Sequence, residues 1–299
     1  MTTSSRVLRL APAIAGAGVV AAVNRLVAAQ PRLDAPLERT NFHGRTVSLR
    51  GGVAVAAGAT AVGLASAVVA PGDLPGRRAA GAAGLATAAA GAAGLVDDLD
   101  QGAHDGQTPT KGLAGHLGAL AEGRVTTGAL KIAVIGSGAA LAGGVMAASA
   151  ASHGHRLRAV GDAVVRAVAI ASWANVHNLL DLRPGRALKV AGLLATPVAL
   201  TPASSGPVPA ALARGALACV AAGAADDLAE RTMLGDTGAN AVGALVGATL
   251  AAHPSRWLRA AGALTGTALV LASEKVSFSR VIARTPVLSA LDALGRREA

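Results

Sequence analysis

Apolar runs of up to two dozen residues recur along the chain, separated by short polar segments that carry most of its charge. Stretches 7–29, 51–70, 79–96, 128–150, 160–181, 187–202, 208–225, 237–252 and 257–273 are built mainly from Ala, Gly, Val and Leu. They do not follow the two-residue alternation of a half-buried strand, which argues against a transmembrane β-barrel. About 20 apolar residues cross the hydrocarbon core of a bilayer as a helix. The pattern therefore predicts an all-α, polytopic membrane protein of about nine transmembrane helices, with residues 1–273 as one domain. Residues 274–299 read as an amphipathic helical tail at the cytoplasmic face, where its arginines would meet anionic lipid. The first run resembles a signal peptide in length. Asn24 and Arg25 close it and another span follows, so a retained helix is the better reading.

Composition strengthens this picture. Of 299 residues, 52% are hydrophobic and 15% charged, and Phe42, Trp173, Trp257 and Phe278 are the only aromatic ones. A water-soluble domain usually carries about 25% charged residues. Small side chains let membrane helices approach closely without aromatic filler, and Ala/Gly-rich faces would also permit a homodimer. The net charge of +10 does not point to nucleic acid, because the basic residues sit in short turns rather than on one polar face. They bear on topology instead. With nine spans, alternate connections fall into two sets, one with 15 basic residues and the other with 8. The richer set (30–50, 97–127, 182–189, 226–236 and 274–299) is expected in the cytoplasm and the N-terminus outside. The single cysteine, Cys219, allows no intrachain disulfide.

The acids are distributed more informatively than the bases. Asp97, Asp98, Asp100, Asp181, Asp226, Asp227 and Asp236 all lie at span ends on the cytoplasmic set, against Asp73 on the other. A carboxylate at the end of a membrane helix is costly unless it meets a cation or water. Arg39, Arg45, Arg50, Lys111, Arg183 and Arg186 share that face, which suggests a polar site for a metal and phosphates.

Three motifs supply the candidate chemistry. Gly94-Leu95-Val96-Asp97-Asp98-Leu99-Asp100 is followed by Lys111-Gly112-Leu113 and His116, and adjacent carboxylates of this kind call for a cation. Mg²⁺ carried with a phosphate substrate is the expected ion, with Mn²⁺ as the alternative. In Asn175-Val176-His177-Asn178-Leu179-Leu180-Asp181, the spacing puts Asn175, Asn178 and Asp181 on one helical face, as if lining a cavity. His177 points elsewhere and reads as a local hydrogen-bond donor. Gly235-Asp236-Thr237-Gly238-Ala239-Asn240 opens a span whose free N–H groups would favour an anion. Asp226 and Asp227 read mainly as structural residues ending the preceding span.

In this order the motifs resemble those of the polyprenyl-phosphate N-acetylhexosamine-1-phosphate transferases. That superfamily includes the phospho-MurNAc-pentapeptide translocase and the GlcNAc-1-phosphate transferases of envelope glycan synthesis. The earlier segment Asp34-Ala35-Pro36, Arg39, His43 and Val47-Ser48-Leu49-Arg50-Gly51-Gly52 is similar to the family's basic loop ending in a double glycine. The resemblance spans roughly 34 to 250. It implies Mg²⁺-dependent transfer of a phosphosugar from a UDP-HexNAc-like nucleotide-sugar to a polyprenyl phosphate, at the cytoplasmic face of the plasma membrane. Asp236 and Asn178 would hold the metal, with Asp181 close by. Asp97 and Asp98 would position or deprotonate the lipid phosphate. Lys111, Arg45, Arg50, Asn175 and Arg183 would contact substrate.

The chain departs from the family pattern in three places. Leu182-Arg183-Pro184-Gly185 follows the Asn-Leu-x-Asp motif, so Pro184 stands where the family has an acid that helps recognise the base. Asp100 is displaced by one from the usual third acid, and the late histidine-rich loop tied to sugar recognition is missing. Two other readings therefore stay open. One is a family member without catalysis that binds lipid phosphate or serves as a scaffold in envelope assembly. The other is an aspartate-rich membrane prenyltransferase using Asp97/Asp98 and Asp226/Asp227.

Overall fold

Proline, glycine and serine punctuate the chain where its helices start and stop. In the computed structural model, which describes residues 3–69, 74–101, 115, 118, 119, 121, 123, 126–150, 156–201 and 206–297, each of the nine apolar stretches contains a helix. The long elements are α1 (Thr3–Ala28), α3 (Arg50–Val69), α4 (Leu74–Asp100), α5 (Thr127–Ala150), α6 (Arg156–Leu180) and α8 (Pro207–Leu228). In each of these six, a segment is long and apolar enough to cross a membrane. Three shorter helices complete the bundle: α7 (Arg186–Ala199), α9 (Gly235–Ala251) and α10 (Arg256–Ser273). Pro207 opens α8 in the first turn, where its missing N–H costs nothing, and the Ser255 hydroxyl caps α10 by accepting from the Leu258 N–H.

The organising element is α9. Of its residues every one but Asp236 is buried, and it packs against α3, α4, α6, α7, α8 and α10. A helix apolar on all sides needs neighbours on all sides. Its Gly, Ala, Val and Leu content suits that place, because small side chains let six helices crowd around one. The outer helices present Leu64, Leu85, Leu141, Leu193 and Leu264 to the surroundings, as lipid-facing side chains would be.

Bonds between element termini show which ends gather. Asn24 near the end of α1 donates to Asp226 at the end of α8, and Arg50 at the start of α3 reaches the Asn24 side-chain oxygen. The end of α4, the start of α5, the end of α6 and the start of α9 meet through hydrogen bonds of their side chains. A short helix α2 (Pro31–Asp34), a 3₁₀ turn (Ala35–Leu37) and a hairpin cover this end. The hairpin strands β1 (Glu38–Thr40) and β2 (Thr46–Ser48) are antiparallel, with Glu38 opposite Ser48 and Thr40 opposite Thr46. Ser48 also bridges to Thr232, so the hairpin is pinned to the segment that leads into α9.

At the far end, Asp162 accepts from Arg166 at 2.6 Å and from Arg259 at 2.5 Å, and Arg166 also reaches the Ala251 carbonyl. The charges of Asp162 and Arg166, which interrupt an apolar run in the sequence, thus neutralise one another while tying α6, α9 and α10 together.

Two expectations change in detail. Asp97, Asp98 and Asp100 lie inside the last turn of α4 rather than beyond it, because partners from α5 and α9 compensate the first two. The tail is two short helices, α11 (Phe278–Arg284) and α12 (Pro286–Ala293). Pro286 divides them, since the residue before a proline is driven out of the helical region and Thr285 is extended.

Candidate functional site

The site is built where α4 meets the start of α9 at backbone distance. A Cβ on Gly94 would run into the Asp236 carbonyl, so only glycine lets the two helices come this close. Gly235 has φ +57°, a left-handed conformation open to glycine, and this turn aims the first N–H groups of α9 at α4. Asp98 answers them. Its carboxylate accepts from the Asp236 N–H at 3.0 Å, the Thr237 N–H at 2.8 Å and the Thr237 hydroxyl at 2.6 Å. A carboxylate from one helix thus satisfies two of the free donors of another and complements its dipole.

Asp97, one residue earlier, points to a different partner. The Lys131 ammonium, in the second turn of α5, donates to Asp97 Oδ2 at 2.6 Å and to Asp236 Oδ2. Asn178 Nδ2 donates to the same Asp236 oxygen at 3.4 Å. Residues 97, 98, 131, 178 and 236, far apart in sequence, therefore converge on one point. The side chains of Lys131, Asp97 and Asp236 are 17%, 23% and 26% exposed, so the cluster is sheltered yet reachable.

Two cavities flank it. The larger, about 490 Å³, runs between α5, α6 and α10 with walls of Ile132, Ile135, Val168, Leu179, Val270 and Leu271. Lys131, Asn175, Asn178 and Asn240 supply polar groups to its lining. Of the three residues expected on one cavity face, Asn175 and Asn178 share this wall. Asp181, one residue past α6, faces the second cavity instead. That one, about 280 Å³, is lined by Phe42, Arg183, Pro184, Asp227, Glu230 and Thr232 among others. Burial, together with the charges of Asp227, Asp236 and Asp98, pushes the Asp181 carboxyl well above its usual range.

The basic residues are largely engaged by the protein itself. Arg45 pairs with Glu230 at 3.0 Å, and the same carboxylate takes His43 at 2.9 Å and Asn41 at 2.5 Å. Burial opposes the Glu230 charge, but these partners outweigh it and hold its carboxyl below the ordinary value. Arg50 is bonded to Asp34 at 2.8 Å and to Asn24 at 3.2 Å, which fixes the basic segment to α1. Arg39 donates to the Asp98 carbonyl at 2.5 Å. Arg183 lies over the Phe42 ring, 3.0 Å from its centre, at the mouth of the smaller cavity. Lys111 and His116 lie outside the described residues.

The remaining sequence assignments also find places. Asp227 accepts from the Gly185 N–H at 2.5 Å and Asp226 accepts from Asn24 and Arg231, so the pair ties loops together. His177 is fully buried and its Nδ1 donates to the Trp173 carbonyl at 2.8 Å.

Among the described residues, no three acidic, histidine or cysteine side chains form a metal-binding cluster. The oxygen donors at the convergence point are the Asp97 and Asp236 carboxylates and the Asn178 amide. Mg²⁺ commonly takes only one or two protein carboxylates and completes its shell with water and substrate phosphate. The donor set fits that mode of binding once Lys131 is drawn away.

Sequence reasoning passed over Lys131 as a single charge inside a span. An ionisable residue within a membrane helix is a site candidate by default, and that signal could have found it. Phe42 and Glu230 gave no comparable sign. Comparison with protein-family models finds no match for this chain, and a search of curated proteins finds none either.

Proposed function

We propose that the protein transfers a phosphosugar from a nucleotide-sugar to a polyprenyl phosphate, as a divergent relative of the polyprenyl-phosphate N-acetylhexosamine-1-phosphate transferases. The observation that carries this reading is the convergence of Asp97, Asp98, Asn178 and Asp236 from three separate motifs beside an apolar cavity with an ammonium in its wall. An isoprenoid chain is apolar and its phosphate is anionic, which is the combination that this cavity and Lys131 offer.

In the reaction, an oxygen of the lipid phosphate forms a bond to the β-phosphorus of the nucleotide-sugar. The bond from that phosphorus to the bridging oxygen breaks, and the nucleoside monophosphate leaves with the electron pair. Phosphoryl transfer depends mainly on alignment and on neutralising charge. Lys131 neutralises phosphate oxygens from the cavity side, while Asn178 and the α9 start hold Asp236 in place. Asp97 takes the proton of a monoanionic lipid phosphate, and Asp98 fixes the turn that presents Asp236. A bound Mg²⁺, held by Asp236 and the Asn178 amide oxygen, would neutralise the diphosphate. Nine spanning helices, with the N-terminus outside and the site at the cytoplasmic face of the plasma membrane, complete the proposal.

The test is release of nucleoside monophosphate by purified protein given polyprenyl phosphate, Mg²⁺ and a panel of nucleotide-sugars. Release is expected from at least one donor, and Asp97→Asn or Asp236→Asn should reduce it by about 100-fold or more, the scale of losing a transition-state contact. No release from any donor, beside a working control transferase, overturns the reading.

One observation favours a second reading. Lys131 closes Asp97 and Asp236 on itself, and Asp98 is fully engaged by α9. A protein that binds lipid phosphate without turnover would keep this arrangement. In that case polyprenyl phosphate binds, no donor is consumed, and the double variant Asp97→Asn/Asp236→Asn retains its role in the cell. The prenyltransferase reading draws no comparable support, since Asp226 and Asp227 are bonded to other partners.

A further inference from the structure

The C-terminal helices are held to the bundle by polar bonds. Neither α11 nor α12 has a buried residue, although Phe278 and Ile282 rest against the core. What fastens them is Arg186, the first residue of α7, whose side chain is 6% exposed. Its guanidinium grips both carboxylate oxygens of Asp292 in α12, at 2.8 and 2.9 Å, and donates to the Ser279 hydroxyl of α11 at 2.9 Å. Lys189, one turn later, donates to the carbonyls of Asp292 at 2.7 Å and Leu291 at 3.2 Å. Arg296 closes on Asp292 from the other side, and the Arg297 N–H reaches the Leu228 carbonyl at 3.3 Å. A planar two-point arginine–carboxylate pair sets geometry as well as attraction.

The position of Arg186 gives this fastening its consequence. The residues immediately before it, Asp181 to Pro184, form one wall of the 280 Å³ cavity. Gly185 joins the two, with φ +74° and its N–H on Asp227. The wall is therefore held at Asp227 and, one residue later, at the chain terminus.

We propose that the C-terminal segment is a clasp that holds the 181–185 loop in place and so sets the cavity's affinity for a nucleoside diphosphate. Asp292 is a positioning residue here, acting through Arg186. The ligand class rests on the transferase reading; the hold on the loop does not. Arg183, stacked on the Phe42 ring, is the cationic group in this cavity's described lining that a diphosphate would meet, beside the carboxyls of Asp181, Asp227 and Glu230.

The experiment uses the full chain in lipid nanodiscs. Hydrogen exchange is followed at 181–187, and binding of UDP, with GDP in parallel, is measured by calorimetry. Asp292→Ala is expected to speed exchange across the loop while leaving α9 unchanged, and to weaken nucleotide binding by about tenfold, the equivalent of one lost polar contact of about 1.4 kcal/mol. Asp292→Glu, which keeps a carboxylate for both Arg186 and Arg296, should hold protection and affinity together well above those of Asp292→Ala, which loss of general packing would not do. Loop exchange unchanged in Asp292→Ala overturns the clasp. So does exchange as fast in Asp292→Glu as in Asp292→Ala, or wild-type-like nucleotide binding with a mobile loop. If neither nucleotide binds the wild-type protein, the transferase reading fails, and the exchange data alone decide whether the loop is held.

Discussion

Removing the Lys131 ammonium would leave the Asp97 and Asp236 carboxylates facing each other without a cation. Breaking a buried pair by deleting one partner costs about 3–5 kcal/mol, and the partial exposure of this trio brings the expected loss nearer 1–3 kcal/mol. Lys131→Met should therefore lower the melting temperature in detergent, and adding Asp97→Asn should recover part of the loss; an unchanged melt would deny the pairing. Asp181 makes an opposite prediction. Its carboxyl is raised in the folded chain, so between the unfolded and folded values the native state binds more protons and stability falls as pH rises. Asp181→Asn is expected to raise the melting temperature at pH 7 and to flatten its decline as pH rises above the ordinary carboxyl range. At this scale the acids and amides of the site were legible in the sequence, because their spacing and order are local properties. That Lys131 answers Asp97 and Asp236 was not, since the pairing depends on how α5 packs between α4 and α6.

The elements do most of the work of alignment. Gly94→Ala pushes a methyl group into the Asp236 carbonyl and must separate α4 from α9. Overpacking of this kind costs about 1–3 kcal/mol. The expected result is a protein that still forms helices by circular dichroism but has lost the Asp98 cap on α9, seen as faster hydrogen exchange at Asp236 and Thr237. Wild-type protection there would show that the close approach is dispensable. Glu230 helps to hold the hairpin through Asn41, His43 and Arg45. Its carboxyl is depressed in the fold, so its contribution is present above the unfolded value and disappears as pH falls through the folded one. The helix positions could be read from apolar runs, and each of the nine stretches contains a helix. The hairpin could not, because three-residue strands carry too little pattern and depend on Ser48 meeting the segment before α9.

On the scale of the whole molecule, composition pointed to helices apolar enough to span a membrane, and the segregation of acids pointed to one polar end. The bonds joining α1, α3, α4, α5, α6, α8 and α9 place that end in three dimensions. Sequence could not reveal that α9 is enclosed by six neighbours, because a run of Ala, Gly and Val looks the same facing lipid or protein. The α9 amides should be among the slowest to exchange with deuterium in nanodiscs, and rapid exchange there would contradict its central place. That placement bears on how the protein is made. A helix with no side left for lipid has no stable home until its companions have been inserted and have closed around it. Because the same helix carries Asp236 in its first turn, a half-assembled chain would lack the acid pair altogether. Any chemistry that depends on these acids would then be withheld until biogenesis is complete.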